Sequence, residues 1–237
     1  MIMSAISSNW QAVHDNIATA AQLASRDPLA VNLLAVSKSC SAEAVLEAAR
    51  AGQHSFGENY EQEAIQKIAA VRAAQPDLKL EWHFIGPIQS NKTRAIAETF
   101  DWVHSIDREK IARRLSDQRP DKLPPLNVCV QVNISNEKSK SGVLPINVAA
   151  LARAIAAMPH LRLRGLMAIP EPEVDLTKQR EPFRKMKQLF DDLRSQGMEL
   201  DTLSMGMTDD MNAAIAEGAT IVRVGTAIFG PRKLNAK

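Results

Sequence analysis

A lysine ends the first apolar run of the sequence. The segment LLAVSK, residues 33–38, has five uncharged residues followed by Lys38. Uninterrupted apolar character over this length predicts a buried strand. A lysine at the end of such a strand is a candidate nucleophile, because burial lowers the pKa of an amine and leaves more of it uncharged. The competing interpretation is a side chain that runs along the surface and places its charge in water.

Two later segments combine glycine with hydroxyl side chains. TLSMGM offers the Ser204 hydroxyl close to Gly206, and RVGTAIFG offers Gly225 and Thr226. Glycine lets a ligand approach the backbone closely, and backbone N–H groups are common phosphate ligands. The two segments therefore predict a phosphate site formed by Ser204, Gly225 and Thr226. The alternative is that these glycines serve only tight connections between strands and helices.

Arg223 lies two residues before Gly225 and shares its face of a predicted strand. A nucleophilic lysine beside a phosphate site suits an aldehyde that carries a phosphate, such as pyridoxal 5′-phosphate (PLP). PLP has a pyridine ring, and an arginine that faces the ring nitrogen disfavours its protonation. The residues alone leave two alternatives open: another phosphate-bearing ligand, for example an aldolase substrate, and an ordinary ion pair for Arg223.

Eight apolar segments are distributed along the chain and alternate with segments of helical period. The predicted strands are NLLAVSK, HSFGEN, WHFIG, WVHSI, LNVCVQVNI, LRLRGLMAI, TLSMG and IVRVG. Strands that are apolar on both faces and alternate with helices favour a parallel sheet covered by helices. Eight such units predict one α/β domain over residues 1–237, a (β/α)8 TIM barrel preceded by an extra N-terminal helix. A doubly wound open sheet is the main alternative, since alternation does not establish closure.

The segments between the strands predict the helices and loops. Glycines at positions 52, 197 and 218 follow predicted helices and suit left-handed C-caps. The stretches RPDKLPP and PEPEVDLTKQREP predict surface loops, and the helix after the second stretch is expected to begin at Pro182. In a (β/α)8 barrel the functional residues lie where the strands end, which is where Lys38, Arg223 and the glycine-rich segments are placed.

Composition excludes several classes of protein. The net charge of +2 and an aromatic content of 4% are poorly suited to nucleic-acid binding. No segment has the length and apolar character of a membrane span or the layout of a signal peptide. Cys40 and Cys129 have no disulfide framework or metal-ligand spacing, and the five histidines have no metal-binding pattern. These features predict a cytoplasmic, reduced protein with no metal site.

Taken together, the motifs resemble one family along nearly the whole chain after the first helix. LLAVSK, FGENYEQE, WHFIGPIQSNK, VHSID, VQVNIS, KSG, LRGLMAIP, LSMGMTDDM and VRVGTAIFG occur in the order found in the pyridoxal phosphate homeostasis protein family. The resemblance implies a fold-type III barrel, similar to the N-terminal domain of alanine racemase, that holds PLP as an internal aldimine on Lys38. It implies phosphate partners at Ser204, Gly225 and Thr226, a pyridine-nitrogen partner at Arg223, and a pocket-lining role for Asn59.

The sequence departs from the family pattern at one position beside the lysine. Many relatives have a second lysine where this chain has Cys40, so any role of that lysine does not carry over to this chain. Cys40 near an aldehyde cofactor is a candidate reactive thiol, and an inert reduced cysteine is the competing interpretation.

Three functions fit these features: a protein that holds, buffers or delivers PLP, a PLP-dependent racemase or related enzyme, and a module that senses PLP. Racemisation needs a second acid–base group opposite the lysine. The only tyrosine, Tyr60, also suits ordinary packing, and no segment follows that predicts a racemase β domain. The sequence therefore favours a PLP homeostasis protein without robust turnover, expected to be a monomer, with apo PLP-dependent enzymes as possible recipients.

Four further residues lie near the predicted rim of the barrel. Lys138 and Lys140 offer a possible second PLP site, with a solvated basic loop as the alternative. His83 is interpreted as a hydrogen-bonded core histidine at a rim-facing position. Lys92 is interpreted as a surface charge at the start of a helix.

Overall fold

Eight parallel strands close into a barrel at the centre of the molecule. A computed structural model describes residues 4–135 and 141–231. The strands are β1 Asn32–Val36, β2 Ser55–Glu58, β3 Glu81–Phe84, β4 Trp102–Ile106, β5 Leu126–Gln131, β6 Leu161–Met167, β7 Thr202–Ser204 and β8 Ile221–Val224. Each strand pairs with the next along the chain, and β8 pairs with β1. This arrangement confirms the predicted barrel and rules out the open sheet.

Helices cover the outside of the barrel. Their bounds are α1 Ala5–Leu23, α2 Ala42–Arg50, α3 Glu61–Ala74, α4 Thr93–Thr99, α5 Glu109–Gln118, α6 Val148–Ala156, α7 Leu176–Ser195, α8 Met211–Ala216 and α9 Thr226–Phe229. Short 3₁₀ helices occupy Pro28–Ala30 and Pro145–Asn147. The predicted N-terminal helix is α1, which packs against α2, α8 and α9. Glycines 52, 197 and 218 have positive φ angles after α2, α7 and α8, as predicted for left-handed C-caps.

The strands are buried on both faces, and the apolar core has two parts. The large part includes strand and helix residues, and a separate small cluster comprises Trp102, Cys129 and Met167. All five residues of β4 are buried, and the apolar residues of β5 and β6 are buried along their whole length. Aromatic side chains fill the space between β2 and β3, where the rings of Phe56 and Trp82 lie 5.6 Å apart. Burial of each large apolar side chain stabilises the fold by about 1.5–3 kcal/mol.

The helix after β6 begins earlier than predicted. It starts at Leu176, and Pro182 lies inside it rather than at its first position. The carboxylate of Asp175 accepts hydrogen bonds from the N–H groups of Thr177 and Lys178, so this residue caps the helix. Part of the predicted PEPEVDLTKQREP loop is therefore helical. None of the helices in the described ranges is both long and apolar enough to cross a membrane.

Candidate ligand-binding site

Closure of the barrel brings the two ends of the chain together around one cavity. β1 pairs with β8 so that Leu34 lies opposite Arg223 and Ala35 opposite Val224. A cavity of about 270 Å³ opens beyond the carboxyl ends of these strands, close to the lower limit of about 300 Å³ for small-molecule pockets. Its lining comprises Val36, Lys38, Cys40, Asn59, Ile85, Ile169, Met207, Thr208, Asp209, Arg223, Gly225, Thr226, Phe229 and Gly230.

Lys38 lies in a turn that follows β1. The strand ends at Val36, two residues earlier than predicted, and the chain then turns sharply, with the Cys40 N–H donating to the Ser37 carbonyl at 3.0 Å. Ser39 occupies the left-handed region of backbone space with φ = 63°. The turn directs the chain over the barrel end, so that Lys38 and Cys40 both line the cavity.

A buried ion pair supports this turn from below. The Lys67 ammonium group donates to the Ser37 carbonyl at 2.6 Å, to Glu58 at 2.7 Å and to Glu63 at 2.8 Å. The Ser37 hydroxyl also donates to Glu58 at 2.6 Å, while Glu63 accepts from the Ser39 N–H at 2.7 Å. Burial raises the pKa of Glu58, and the charge of Lys67 opposes that rise. The lysine-bearing turn is therefore held from both β2 and α3.

Asn59 presents an unsatisfied polar atom in the cavity wall. Its Oδ1 atom is buried and has no hydrogen-bond partner among the described residues. The backbone of Asn59 packs tightly against Gly86, where an added Cβ would lie 2.1 Å from the Asn59 carbonyl oxygen. Gly86 thus fixes the position of Asn59. A buried amide oxygen without a partner is costly, so the wall is suited to a ligand that donates a hydrogen bond.

Arg223 reaches the floor of the cavity from β8 although it is only 4% exposed. Its guanidinium group donates to the Ser204 carbonyl at 2.7 Å, to the Ser204 hydroxyl at 2.8 Å and to the Ala168 carbonyl at 2.9 Å. Burial lowers the pKa of Arg223 to about 10, against the opposing charge of Asp210. The guanidinium therefore stays charged near neutral pH, and the described residues occupy three of its five N–H donors.

The opposite edge of the cavity is formed by the start of α9. Gly225 precedes this helix and lies close to β1, because an added Cβ would be 3.0 Å from the Val36 carbonyl oxygen. Thr226 is its first residue and is exposed toward solvent. The Asn9 side chain of α1 donates to the Ile228 carbonyl at 3.1 Å, so the N-terminal helix stabilises this edge.

Ser204 does not contribute its hydroxyl to the cavity. It is fully buried at the end of β7, and its Oγ atom lies 2.8 Å from Arg223 and 2.8 Å from His104. The hydroxyl-bearing residue that lines the cavity after β7 is Thr208. Of the six predicted binding residues, Lys38, Asn59, Arg223, Gly225 and Thr226 line one cavity, and Ser204 contacts it only through Arg223.

The predicted rim-facing position of His83 is wrong, while its interpretation as a hydrogen-bonded core residue is confirmed. His83 is 2% exposed and lies at the amino ends of the strands, beside Glu81 and Trp102, where a second cavity of about 460 Å³ opens. Lys92 directly precedes α4 and pairs with Glu61 at 3.1 Å, as a charge at a helix start should.

The other residues singled out in the sequence have separate outcomes. Tyr60 is exposed where α3 begins and is absent from the cavity lining. Cys40 lies on the cavity wall rather than away from it, whereas Cys129 is fully buried. Lys138 and Lys140 lie outside the described residues. The described parts of the chain contain no cluster of metal-ligating side chains.

Comparison with known proteins places the barrel in a family. The family described as "Alanine racemase, N-terminal domain" matches residues 8–233. The chain is 58% identical to the pyridoxal phosphate homeostasis protein of Pseudomonas aeruginosa, over 99% of each chain. It is 53% identical to the protein of the same name in Escherichia coli K12, over 99% of this chain and 100% of the relative. The chain belongs to the pyridoxal phosphate homeostasis protein family.

A solved structure of similar fold adds a ligand to the comparison. PipY of Synechococcus elongatus, described as a COG0325 family member with PLP bound, is 38% identical to this chain. The match has a TM-score of 0.78 and covers 90% of this chain and all of PipY. The fold of this chain is therefore similar to that of a protein whose structure was solved with PLP bound.

Proposed function

We propose that this chain is a cytoplasmic PLP-binding protein that holds, buffers or delivers the cofactor and does not turn over a substrate. The observation that carries this proposal is the convergence of Lys38, Arg223 and Thr226 on one cavity at the β1–β8 junction. These three side chains supply an amine, a buried cation and a hydroxyl. The chain's identity of 53–58% to PLP homeostasis proteins supports the same function.

The cavity residues match the separate groups of PLP. Lys38 is proposed to form a Schiff base with the cofactor aldehyde, a step that forms a carbon–nitrogen double bond and releases water. Gly225, Thr226 and Thr208 are proposed to bind the phosphate through N–H and hydroxyl groups. Asn59 Oδ1 is an acceptor for a hydroxyl on the ring, and this contact would satisfy an atom that is otherwise unpaired.

Arg223 favours holding the cofactor over using it. Bound PLP supplies an electron-withdrawing ring, whose strength depends on a proton at the pyridine nitrogen. The charged guanidinium of Arg223 disfavours that proton and can instead donate a hydrogen bond to the unprotonated nitrogen. The cofactor would therefore be bound firmly and activated weakly.

The competing function is that of an amino-acid racemase or a related PLP enzyme. Such an enzyme needs an acid–base group on the ring face opposite the lysine. Tyr60, the candidate suggested by the sequence, is 54% exposed and does not line the cavity. We infer that any PLP-dependent turnover is incidental. Transfer of PLP to apo-enzymes and a monomeric state are parts of the proposal that need separate measurements.

The visible absorption spectrum of the purified protein with added PLP tests the proposal. Wild type is expected to develop the band of a protonated Schiff base, and Lys38→Ala is expected to lose it. Lys110→Ala is the matched control, because Lys110 is an exposed lysine on α5 outside the cavity. Borohydride reduction followed by peptide mass analysis should place the label on the peptide that contains Lys38. Equal spectra for wild type and Lys38→Ala would overturn the assignment.

The same preparation distinguishes carrier from enzyme. L-alanine is added to the PLP-loaded protein, and formation of D-alanine or pyruvate is followed over many equivalents. A carrier leaves the band largely unchanged and gives no sustained product. Multiple turnovers that disappear in Lys38→Ala would assign the chain to the enzymes instead.

A further inference from the structure

A chain of hydrogen bonds crosses the interior of the barrel from the cavity to its opposite end. Arg223 lies 2.8 Å from Ser204 Oγ, which lies 2.8 Å from His104 Nδ1. His104 Nε2 lies 2.8 Å from His83 Nδ1, and His83 Nε2 lies 2.9 Å from Glu81 Oε2. The side chains come from β8, β7, β4 and β3, so the chain joins residues that are far apart in the sequence.

Burial makes the direction of these hydrogen bonds important. Ser204 and His104 have no exposed surface, and His83 and Arg223 are 2% and 4% exposed. A buried donor or acceptor that lacks its partner destabilises the fold, because it has lost its bonds to water. Burial, together with the charge of Arg223, lowers the pKa of His104 well below its ordinary value, so its ring is neutral. A neutral ring has one N–H donor and one acceptor nitrogen.

The direction follows from the Arg223 end. A guanidinium group only donates, so Ser204 Oγ accepts from Arg223. The described residues offer the Ser204 hydroxyl hydrogen one acceptor, His104 Nδ1. If His104 instead donated from Nδ1, the serine hydrogen would be buried without a partner. Ser204 therefore donates to His104, and the proton of His104 is on Nε2.

The Glu81 end agrees with this direction. An ionised carboxylate only accepts, so His83 donates to Glu81 from Nε2. Its Nδ1 atom lies 2.8 Å from His104 Nε2 and accepts the proton that the Arg223 end places there. Each donor of the chain then meets one acceptor.

We propose that Ser204 and His104 are positioning residues for Arg223, and that a one-way hydrogen-bond chain ending at Glu81 fixes the guanidinium beneath the ligand. The inference rests on the proposed PLP-binding function, because it assigns the donors that remain on Arg223 to the pyridine nitrogen. Three of the five donors are used by Ser204 and the Ala168 carbonyl. With these bonds fixed, the remaining edge of the guanidinium cannot rotate away from the cavity.

Nitrogen-15 NMR of the histidine side chains in the ligand-free protein tests the direction. The inference requires the Nε2–H tautomer at both His83 and His104, and assignment is made with His83→Gln and His104→Gln. A proton on Nδ1 of His104 would overturn the one-way chain. Because no PLP is present, this result is independent of whether the chain binds the cofactor.

PLP titration of serine variants tests the positioning role. Ser204→Ala is expected to weaken PLP binding about tenfold, since the buried guanidinium loses one of the hydrogen bonds that orient it. Ser204→Thr keeps the hydroxyl and should recover most of that loss. Ser116→Ala is the control for removal of a buried serine outside the chain. If Ser204→Ala binds PLP as wild type does, the chain is only structural and the positioning role is overturned.

A second variant keeps the test open should Ser204→Ala not fold. Glu81 lies at the outer end of the chain, where its side chain is 46% exposed, and Glu81→Leu removes the terminal acceptor. The variant is expected to lose the single His104 tautomer and to bind PLP several-fold more weakly. Unchanged tautomers and affinity would overturn the inference. Absence of PLP binding in wild type would instead overturn the proposed function while leaving the tautomer result intact.

Discussion

At the scale of single residues, the buried Lys67 is the clearest case of a side chain whose removal leaves a charge behind. Its partner Glu58 has no exposed surface. We expect Lys67→Met to lower the free energy of unfolding by about 3–5 kcal/mol, because the carboxylate is left buried without its cation. Urea unfolding followed by circular dichroism measures this. The double variant Lys67→Met, Glu58→Gln should lose less, and an equal or larger loss would contradict the ion-pair explanation.

A second residue-scale prediction concerns acid stability. Burial on its own raises the pKa of Glu81, but the hydrogen bonds from His83 and Ser55 outweigh it and lower the pKa from 4.5 to about 2. A carboxyl whose pKa is lower in the folded state contributes stability above about pH 4.5 and loses it as the pH falls toward 2. The partial exposure of Glu81 reduces this contribution through solvent screening.

Glu81→Gln replaces the titrating carboxyl with an amide that does not titrate. The free energy of unfolding should therefore depend less on pH in the acid range. We expect the free energy of unfolding to fall less between about pH 5 and pH 3 in this variant than in wild type. Glu109→Gln, an exposed carboxylate on α5, is the control and should follow wild type. If the free energy of unfolding had the same pH dependence in Glu81→Gln and wild type, the ionised Glu81 carboxylate would not stabilise the fold through its contact with His83.

The sequence predicted the cavity residues better than the residues that support them. Lys38, Asn59 and Arg223 could be placed because strand ends converge in a barrel. The roles of Ser204 and His104 depend on which side chains meet across β4, β7 and β8, and spacing within one strand does not carry that information. The sequence of α3 does carry a signal for one supporting residue. The buried face of α3 comprises Ala64, Lys67, Ile68 and Val71, so Lys67 occupies an apolar stripe where a buried partner is required.

At the scale of elements, α1 does more than precede the barrel. Asn9 donates to the Ile228 carbonyl within α9, and Trp10 donates to Gln53 at 2.9 Å. We expect Asn9→Ala to weaken PLP binding several-fold while lowering the free energy of unfolding by only about 1 kcal/mol. The reason is that α9 begins at the proposed phosphate position. Gln11→Ala, which removes an exposed bond to Asp15 on the same helix, is the control.

The measurement for Asn9 is PLP affinity alongside urea unfolding. If affinity and stability fell together in the same proportion for both variants, α1 would act on the whole fold rather than on α9. A selective loss of affinity in Asn9→Ala would identify the first helix as a support of the binding site.

The error at α7 shows why element boundaries were harder to predict than the elements. Proline is common at the first position of a helix, and this preference favours a start at Pro182. Asp175 instead provides the cap, and the helix tolerates Pro182 seven residues into its length. The Lys178 carbonyl loses its helical partner there, and the packing of Phe183, Met186 and Phe190 against the barrel compensates. Tertiary packing, which a local pattern does not contain, decided the boundary.

At the scale of the whole molecule, closure of the barrel places the proposed ligand across the junction of β1 and β8, here called the seam. Lys38 follows β1, the first strand. Arg223, Gly225 and Thr226 lie in or after β8, the last strand, which pairs directly with β1. Closure itself could be expected from eight repeated units, but the register that sets Leu34 opposite Arg223 could not. A ligand bound at this position joins the two ends of the sequence.

This placement predicts how PLP changes stability. A ligand that binds only the folded state adds about 2.7 kcal/mol at a hundred times its Kd, which for a chain of this size raises Tm by roughly 5–10 °C. Differential scanning fluorimetry of wild type and Lys38→Ala with PLP should show this shift in wild type and a smaller one in the variant. Pyridoxine 5′-phosphate, which has no aldehyde, is the matched ligand.

Hydrogen exchange then distinguishes a ligand that stabilises both sides of the seam from one that stabilises the whole fold equally. With PLP bound, amide protection should increase most in Lys38–Cys40 and in residues 223–229, which lie on the two sides of the seam. Helices on the far side of the barrel, such as α5, should change by no more than the shift in global stability. A uniform increase would mean that PLP stabilises the fold without joining its ends. Protection confined to the α9 side would mean that phosphate contacts, rather than Lys38, hold the cofactor.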